Sequence, residues 1–267
     1  MINGGRKNVL GVLVDVIDYE GVIQHVARAV RERQSVSISA LAVHGIMTGV
    51  LDKEHKHRLN SLSLVVPDGQ PVRWALNLLY KSRLKQRCYG PDLTLHLCKW
   101  AAKEHVPVFF YGATSKTLYG IRTELASKFP ELEIAGMEPS KFRRLTQKEK
   151  TELAERIRKS GAGMAFIGLG CPRQEVFLYE FKDLLPMPIL AVGAAFPFMA
   201  GEIAQAPDWI QEVGMEWFFR LCVEPGRLWR RYVILNPIYL ILLILQMLGL
   251  HSFNAEGVPP RSELRYG

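Results

Sequence analysis

The chain has 267 residues, of which 48% are hydrophobic and 22% charged, and this composition is typical of a folded globular protein rather than a disordered one. Its four cysteines form no CxxC pair and have no histidine at zinc-ligand spacing, which argues against a structural zinc and a disulfide framework. No secretory signal opens the chain, so the reduced cytoplasm is the expected compartment.

The positive charge is concentrated in the first three quarters of the chain. The net charge is +8, and residues 201–267 hold six Arg against seven Asp or Glu, so they carry −1 and the first 200 residues carry +9. Such an excess suits nucleotides, anionic lipids or nucleic acids, and a solvated basic surface explains it equally well.

Strand and helix patterns alternate through the first 200 residues. The strand candidates are 8–16, 35–43, 61–69, 106–112, 132–136, 165–170 and 188–196. The helix candidates are 21–33, 71–84, 91–103, 115–128, 146–160 and one from about Pro172. In the fifth of these helices, Thr146 and Glu149 form a capping-box pattern. Near-continuous apolar strands separated by helices predict an α/β fold, a Rossmann-like parallel sheet flanked by helices, over residues 1–205.

Ligands of open α/β sheets bind beyond the carboxyl ends of the strands. The loops expected at those ends are 66–69, 110–115, 168–175 and 192–201.

A helical appendage rich in arginine and aromatic residues is predicted over residues 206–251, followed by a flexible tail over 252–267. Within the appendage the uninterrupted apolar run, 237–250, is shorter than the roughly 20 residues that a spanning helix needs. A helix that is apolar on nearly all faces must be buried in protein or in lipid. We expect this run to associate with a membrane or a partner chain rather than with the core.

Asp68 is the first candidate for chemistry, because it follows a buried strand in a tight Pro-Asp-Gly turn. A carboxylate in that position can act as a general base toward a hydroxyl, particularly if burial raises its pKa. A turn Asp that bonds its own backbone is an equally good interpretation from position alone.

The segment GLGCPRQE is the second candidate. Gly168 and Gly170 follow a predicted strand and allow a ligand to approach the backbone, and the next helix begins close to Gln174. The start of a helix suits a phosphate group. The segment is neither a Walker loop nor a dinucleotide-binding fingerprint, and an ordinary strand-to-helix connection explains it too.

The third candidate is a group of arginines in the appendage, in WFFRLCVEPGRLWRRY. If this segment is one helix, Arg220, Arg227 and Arg231 share a face and Arg230 lies beside them. Arginine is suited to bidentate phosphate contacts, and the interleaved aromatic residues suit a membrane interface. A surface helix with salt bridges is the alternative. No DxD pair for a metal is present, and the HxH at 55–57 is expected to be solvated.

Taken together, VVPDG, RCYGPDL, VFFYGA, GLGCPRQE, GAAFPFMAGEIAQAPDWIQEVGMEWFFRL and EPGRLWRRYVILNP resemble one family in their order and spacing, the WecG/TagA/CpsF glycosyltransferases (glycosyltransferase family 26). The resemblance implies an inverting, metal-independent enzyme of cell-envelope or exopolysaccharide synthesis that needs no cofactor. It implies transfer from a UDP-sugar donor to a polyprenyl-diphosphate-linked sugar acceptor at the cytoplasmic face of the inner membrane. A homo-oligomer is left open.

The resemblance also implies roles for residues. Asp68 would be the catalytic base, and Arg87 and Gln174 would shape the donor pocket. Arg220, Arg227 and Arg230 would neutralise the leaving diphosphate, whereas Gly168 and Gly170 are donor-binding candidates from their position after a strand. The further pocket candidates are Gly69, Gln70, Asp92, Gly112 and His44.

The chain departs from the family pattern at four positions. Ala40 and Ala42 stand where the family usually has Thr and Asn, and Pro197 and Gln205 stand where it has Asp and Arg. The donor sugar could therefore be of the N-acetylmannosamine kind, glucose or a uronic acid. A non-catalytic nucleotide- or polyprenyl-phosphate-binding subunit is the alternative function. Nucleic-acid binding rests on charge alone, without a binding motif.

Overall fold

A computed structural model gives the fold and describes residues 1–261, except for the side chains of Asp208, Glu212 and Arg227. The chain opens with an antiparallel hairpin, β1 (Asn3–Val9) and β2 (Val12–Ile17). Six further strands form one parallel sheet: β3 (Val36–Leu41), β4 (Leu64–Pro67), β5 (Val108–Gly112), β6 (Ile134–Glu138), β7 (Met164–Gly168) and β8 (Pro188–Ala191). Their order is β4-β3-β8-β7-β5-β6, and each described pair is parallel.

Helices connect the strands and cover both faces of the sheet. Those of the core are α1 (Tyr19–Glu32), α2 (Val43–Leu51), α3 (Lys53–Asn60), α4 (Gln70–Tyr80), α5 (Gly90–Lys103), α6 (Ser115–Lys128), α7 (Gln147–Lys159), α8 (Arg173–Phe181) and α9 (Ala195–Met199). The appendage contains α10 (Asp208–Glu212), α11 (Glu216–Val223), α12 (Pro225–Arg230), a π-helical turn (Arg231–Leu235) and α13 (Asn236–Met247).

The strands bury alternate side chains in two separate cores. In β5, Val108 and Phe110 face the core that contains α1, α5, α6 and α9, whereas Phe109 and Tyr111 face the core that contains α2, α3, α4, α7, α8 and α13. These side chains are all nearly inaccessible, which accounts for the almost continuous apolar strands of the sequence.

The cleft position follows from the connections of β3 and β8, which are neighbours in the sheet. The helix after β3, α2, packs on one face, and the helix after β8, α9, packs on the other. Two adjacent strands whose connections leave in opposite directions create a crevice at their carboxyl ends. The predicted α/β class and parallel sheet are confirmed.

The first predicted strand is wrong in its extent and in its place. Residues 8–16 are broken at Leu10 and Gly11, whose φ values of 55° and 87° place both in the left-handed region and reverse the chain. The result is the separate hairpin, because a single strand through these residues requires extended backbone at both of them.

The described part of the tail, residues 252–261, makes hydrogen bonds to the core. Asn60 donates to Ala255 O at 2.7 Å, Val258 N donates to Lys53 O at 3.0 Å, and Asn8 donates to Phe253 O at 2.7 Å. These hydrogen bonds connect the tail to α3 and the hairpin. Each of them uses a backbone group of the tail, and the amino-acid composition of the tail therefore does not predict them. Residues 262–267 lie outside the described part.

Helix α13 has one face on protein and one exposed. Tyr239 and Leu243 are 1% and 5% exposed, and the Tyr239 hydroxyl donates to Pro71 O at 3.2 Å. Ile241 and Ile244 are 59% and 52% exposed. Among the described residues, Leu228–Met247 is the helical stretch whose 20 residues and mean hydropathy of 1.5 are sufficient to cross a membrane. It is therefore a candidate membrane-associating element.

Candidate active site

A cleft of about 370 Å³ lies at the carboxyl ends of the strands, where β3 and β8 diverge. The loops after β3, β4, β7 and β8 form one wall, and the appendage forms the other with Trp217, Leu228 and Tyr232. Of the sequence-predicted residues, the cleft brings together Asp68, Gly69, Gln70, Arg87, Gly168, Gly170, Gln174, His44 and Arg220.

Asp68 is held firmly at the end of β4. Its Oδ1 accepts a hydrogen bond from Gly90 N at 2.5 Å, and its own N–H donates to Leu41 O at 3.2 Å. Burial raises the pKa of Asp68 above its ordinary value, against the opposing effects of Arg87 and the Gly90 N–H. A carboxylate with a raised pKa is a better proton acceptor than an ordinary Asp.

Arg87 is fixed across the cleft by a buried ion pair. Its Nη2 lies 2.5 Å from Glu216 Oε2 and donates to Gln211 Oε1 at 2.8 Å, and its guanidinium stacks 4.0 Å from the centre of the Tyr89 ring. The Tyr89 hydroxyl donates to Glu216 Oε1 at 2.9 Å. Core and appendage therefore meet in one network of charged and polar groups.

Gln174 is oriented by a buried carboxylate next to it. Gln174 Nε2 donates to Glu175 Oε1 at 2.8 Å, and Ser39 Oγ donates to the same oxygen at 3.0 Å. Glu175 is fully buried, and this burial raises its pKa. Gly193 leaves the space for the Gln174 carboxamide, since a Cβ there would lie 3.1 Å from Gln174 Oε1.

Two helices start at the cleft without side-chain caps. The first residues of α2 and α4 follow Ala42 and Gly69, and neither of these makes a capping hydrogen bond from its side chain. The uncapped N–H groups and the positive end of each helix dipole suit a diphosphate. Gly170 has a φ of 76° and open space beside it, so the backbone there is accessible to a ligand.

The appendage arginines do not share a single face. Arg220 lines the cleft, with its guanidinium 5.4 Å from the Phe198 ring centre. Arg230 is exposed and lies 5.3 Å from the ring centre of Trp229, so its predicted place in the cleft is wrong; Arg231 lines the cleft instead. The one-helix assumption fails because the chain breaks at Glu224, whose φ and ψ are −130° and 58°. The side chain of Arg227 lies outside the described part.

Three further candidates occupy different positions. His44 lines the cleft at the start of α2, and burial followed by the charge of Arg231 lowers its pKa to about 4, so its ring is neutral near pH 7. Asp92 does not line the cleft; it accepts from the Tyr19 hydroxyl at 3.5 Å. Gly112 does not line it either, but a Cβ there would lie 2.5 Å from Gly168 O, so Gly112 permits the close approach of β5 and β7.

Of the acids and arginines that line the cleft, Glu216 is the one that the sequence does not indicate, whereas Glu175 and Arg231 belong to the second and third candidate segments. Glu216 lies close to Arg220 in the sequence, but in the fold it pairs with Arg87, which is distant in the chain. A buried acid amid aromatic residues is a signal that a cationic partner is needed, but the sequence does not identify that partner.

Fold and cleft define an α/β protein that can bind an anionic ligand at a topological switch point, opposite a fixed carboxylate. Comparison with known proteins narrows this class. The chain matches the model of the glycosyl transferase WecG/TagA/CpsF family over residues 7–252.

Two curated relatives are both called N-acetylglucosaminyldiphosphoundecaprenol N-acetyl-beta-D-mannosaminyltransferase. The protein from Bacillus subtilis strain 168 is 30% identical over 183 residues, which cover 68% of this chain and 69% of the relative. The protein from Bacillus spizizenii is 32% identical over 174 residues, which cover 65% of each chain. The chain belongs to the WecG/TagA/CpsF family and is a glycosyltransferase, which confirms the resemblance seen in the sequence.

Proposed function

We propose that the chain transfers a sugar of the N-acetylmannosamine kind from a UDP-sugar to N-acetylglucosamine linked through diphosphate to a polyprenol. The observation that carries this proposal is the placement of Asp68 in one cleft with Arg87 and Arg220, whose charges both act on it. The activity in the names of the two relatives supports the sugar and the acceptor.

The proposed reaction is a single displacement with inversion at the anomeric carbon. The acceptor hydroxyl oxygen forms a bond to that carbon while the bond from carbon to the diphosphate oxygen breaks. Asp68 accepts the hydroxyl proton, and UDP leaves with the bonding electron pair. Positive groups aimed at the departing diphosphate stabilise the charge that develops there.

Arginines supply that positive charge in this proposal. Arg220 and Arg231 line the cleft beside the uncapped starts of α2 and α4. Within the described residues, no three His, Cys, Asp or Glu side chains come together as metal ligands. Metal independence is part of the proposal, and it predicts full turnover in excess EDTA.

A second candidate donor, glucose or a uronic acid, is supported by a specific feature of the cleft. Ala40, Ala42 and Pro197 line it, where the family usually has side chains with hydrogen-bonding groups. Loss of such partners weakens recognition of one particular sugar, because each hydrogen bond to a ligand contributes to discrimination.

The proposed location is the cytoplasmic face of the inner membrane, with α13 in the interface. The exposed face of α13 is apolar, and the appendage that carries it also forms one wall of the cleft. A polyprenyl acceptor would thus meet the cleft at the membrane surface.

The test is UDP release from a panel of UDP-sugars, with a polyprenyl-diphosphate N-acetylglucosamine acceptor. We expect acceptor-dependent release with UDP-N-acetylmannosamine and a product of inverted anomeric configuration by NMR. Arg220→Gln should reduce both kcat and UDP affinity, whereas Arg122→Gln, on α6, should change neither. Release with UDP-glucose alone would establish the second donor. Binding of UDP without turnover of any donor would support the non-catalytic alternative and overturn the proposal.

A further inference from the structure

A second, smaller cavity of about 90 Å³ opens at the same edge of the sheet as the cleft. Its walls come from the ends of β5 and β7, the loop after β6, and helices α7 and α8. Leu169 lines both cavities, so they lie side by side. We call the second one the side cavity; nothing in the proposed sugar transfer uses it.

The floor of the side cavity is aromatic. Tyr111 stacks on Phe177 with ring centres 5.2 Å apart, and Phe177 stacks on Phe181 at 3.8 Å. Leu145 and Leu169 complete this apolar surface. Such a floor favours a hydrocarbon group over a sugar or a nucleotide phosphate, because it offers dispersion contacts and few hydrogen bonds.

The rim is cationic. Arg143, Arg144, Lys150 and Arg173 line the cavity with Glu180 as the acid among the lining residues. Lys150 is 8% exposed and its ammonium lies 2.8 Å from Glu180, so this pair is internally neutral. Glu149 pairs with both Lys141 and Arg143 and so compensates one of their two positive charges, and Arg173 adds a further positive charge at the rim of the apolar floor.

Arg143 and Arg173 differ in their interactions with the rest of the protein. Arg143 is steadied at the rim by Glu149, which lies 2.6 Å from its Nη2. Arg173 lines the side cavity, directly before Gln174 of the cleft in the chain, and makes no hydrogen bond or ion pair within residues 1–261. A guanidinium without a partner at the rim of a cavity is a suitable donor for a phosphate.

Phe142 is the unusual residue of the loop. It is 61% exposed, and its φ of 52° is in the left-handed region that disfavours a bulky side chain. The Phe142 N–H is held by Ser140 Oγ at 3.0 Å. The loop therefore keeps a large aromatic ring at the cavity mouth in a backbone conformation that is strained for a residue with a side chain.

We infer that the side cavity binds a phosphate monoester carried on an apolar chain. The phosphate contacts Arg143 and Arg173, and the first carbons of the chain lie on the aromatic floor under Phe142. A polyprenyl phosphate and a phosphatidic acid share this chemistry. The site is separate from the cleft, so it does not depend on the proposed sugar transfer.

The test is calorimetric titration of the full chain with farnesyl phosphate, with dihexanoyl phosphatidic acid as a second arm. We expect a site that UDP does not displace, and weaker binding of farnesol and of inorganic phosphate than of farnesyl phosphate. Arg173→Gln and Arg143→Gln should each weaken this site about tenfold or more, as loss of a charged hydrogen bond predicts. The matched control is Lys159→Gln, which removes an exposed cation at the far end of α7 and should leave affinity unchanged.

Phe142→Gly provides a variant that does not threaten folding, because glycine is relaxed at a positive φ. It should weaken binding of farnesyl phosphate while thermal stability is kept or raised. A preference for farnesyl phosphate over the phosphatidic acid would identify a polyprenyl ligand, and the reverse would identify a phospholipid; each supports the site. Binding that UDP abolishes, or that is unchanged in both arginine variants, would overturn it. Equal affinity for inorganic phosphate would also overturn it.

Discussion

Asp68 is positioned before any substrate arrives, because backbone groups of two neighbouring loops hold it. Gly90 N donates to its carboxylate, and Leu41 O accepts its N–H. The approach is close enough that a Cβ on Gly90 would lie 3.5 Å from Asp68 Oδ1 and 3.2 Å from Val192 O. Positioning of this kind matters because a general base must lie within hydrogen-bond reach of the proton that it removes.

Asp68→Asn is the sharpest test of the proposal that Asp68 is the catalytic base. Asn keeps the size of the side chain and an oxygen for Gly90 N, but it cannot take up the acceptor proton. We expect kcat to fall by about 10²–10⁴-fold, with UDP affinity retained in a titration. Since burial raises the pKa of Asp68 and the base is active when deprotonated, wild-type kcat should rise with pH through that raised pKa.

The variant should lack this acidic limb of the pH profile. Arg122→Gln again serves as the control for preparation and assay. Near-normal kcat in Asp68→Asn, or an unchanged acidic limb, would assign proton transfer to another group.

The cleft residues that can be predicted from the sequence are those whose position depends on the few residues next to them in the chain. Asp68 and Gly170 act through a turn and a strand end, and a few adjacent residues suffice to predict such positions. Glu216 and Arg231 depend on how the appendage folds back over the core, and on a helix break at Glu224. Their place in the cleft is a tertiary property, so periodicity alone could not give it.

Among the helices and strands, the predictions that the structure confirms are those that rest on local sequence signals. Helix α6 spans the predicted residues, and the capping box of Thr146 and Glu149 at α7 is present as predicted. The hairpin was missed because Leu10, a residue that rarely adopts a positive φ, lies in its turn beside Gly11. The sequence predicted the elements of the sheet but not its strand order, which long-range pairing decides.

Helix α13 has two faces with opposite roles, and a pair of variants can separate them. Leu243 is buried against the core, so Leu243→Ala should lower the free energy of unfolding by about 2–5 kcal/mol. Ile241 and Ile244 are exposed, so the double variant Ile241→Ser/Ile244→Ser should leave stability within about 0.5 kcal/mol. Denaturant titration measures both.

The same double variant should bind lipid vesicles more than about tenfold less tightly than the wild type, since each buried Ile contributes about 1.5–3 kcal/mol. Sedimentation with vesicles measures this loss. Vesicle binding that is unchanged in the double variant would contradict the proposed membrane contact. A large loss of stability in it would show instead that the exposed face is part of the fold.

At the scale of the whole molecule, one edge of the sheet carries both the cleft and the side cavity, and burial shifts the pKa values of His44, Asp68 and Glu175 in the cleft. The two lowered histidine pKa values belong to the face covered by α2 and α3. His55 is fully buried, so the expectation that the HxH at 55–57 is solvated is wrong for this residue. Burial followed by the charge of Arg58, with Asp52 opposing, lowers the pKa of His55 to about 4. His44 has a pKa of about 4 as well, as described above.

These two histidines predict a loss of stability in mild acid. Unfolded histidine has a pKa near 6.5, so between pH 6.5 and about 4 the unfolded chain binds more protons than the folded one. The contribution of these two histidines to the free energy of unfolding should therefore be complete above pH 6.5 and should decrease as the pH drops to about 4. Asp15, Asp68 and Glu175 act in the opposite direction, because burial raises their pKa values.

Comparison of variants isolates the histidine contribution from that of the acids. Replacement of His55 by Gln removes the ionisable ring, so the difference in unfolding free energy between wild type and variant should shrink as the pH falls from 6.5 toward 4. The control His105→Gln, at an exposed turn, should leave the free energy of unfolding within about 0.5 kcal/mol of the wild-type value at pH 7. Urea titrations at a series of pH values provide the measurement. A pH-independent difference for His55→Gln would mean that this imidazole keeps an ordinary affinity for its proton inside the fold.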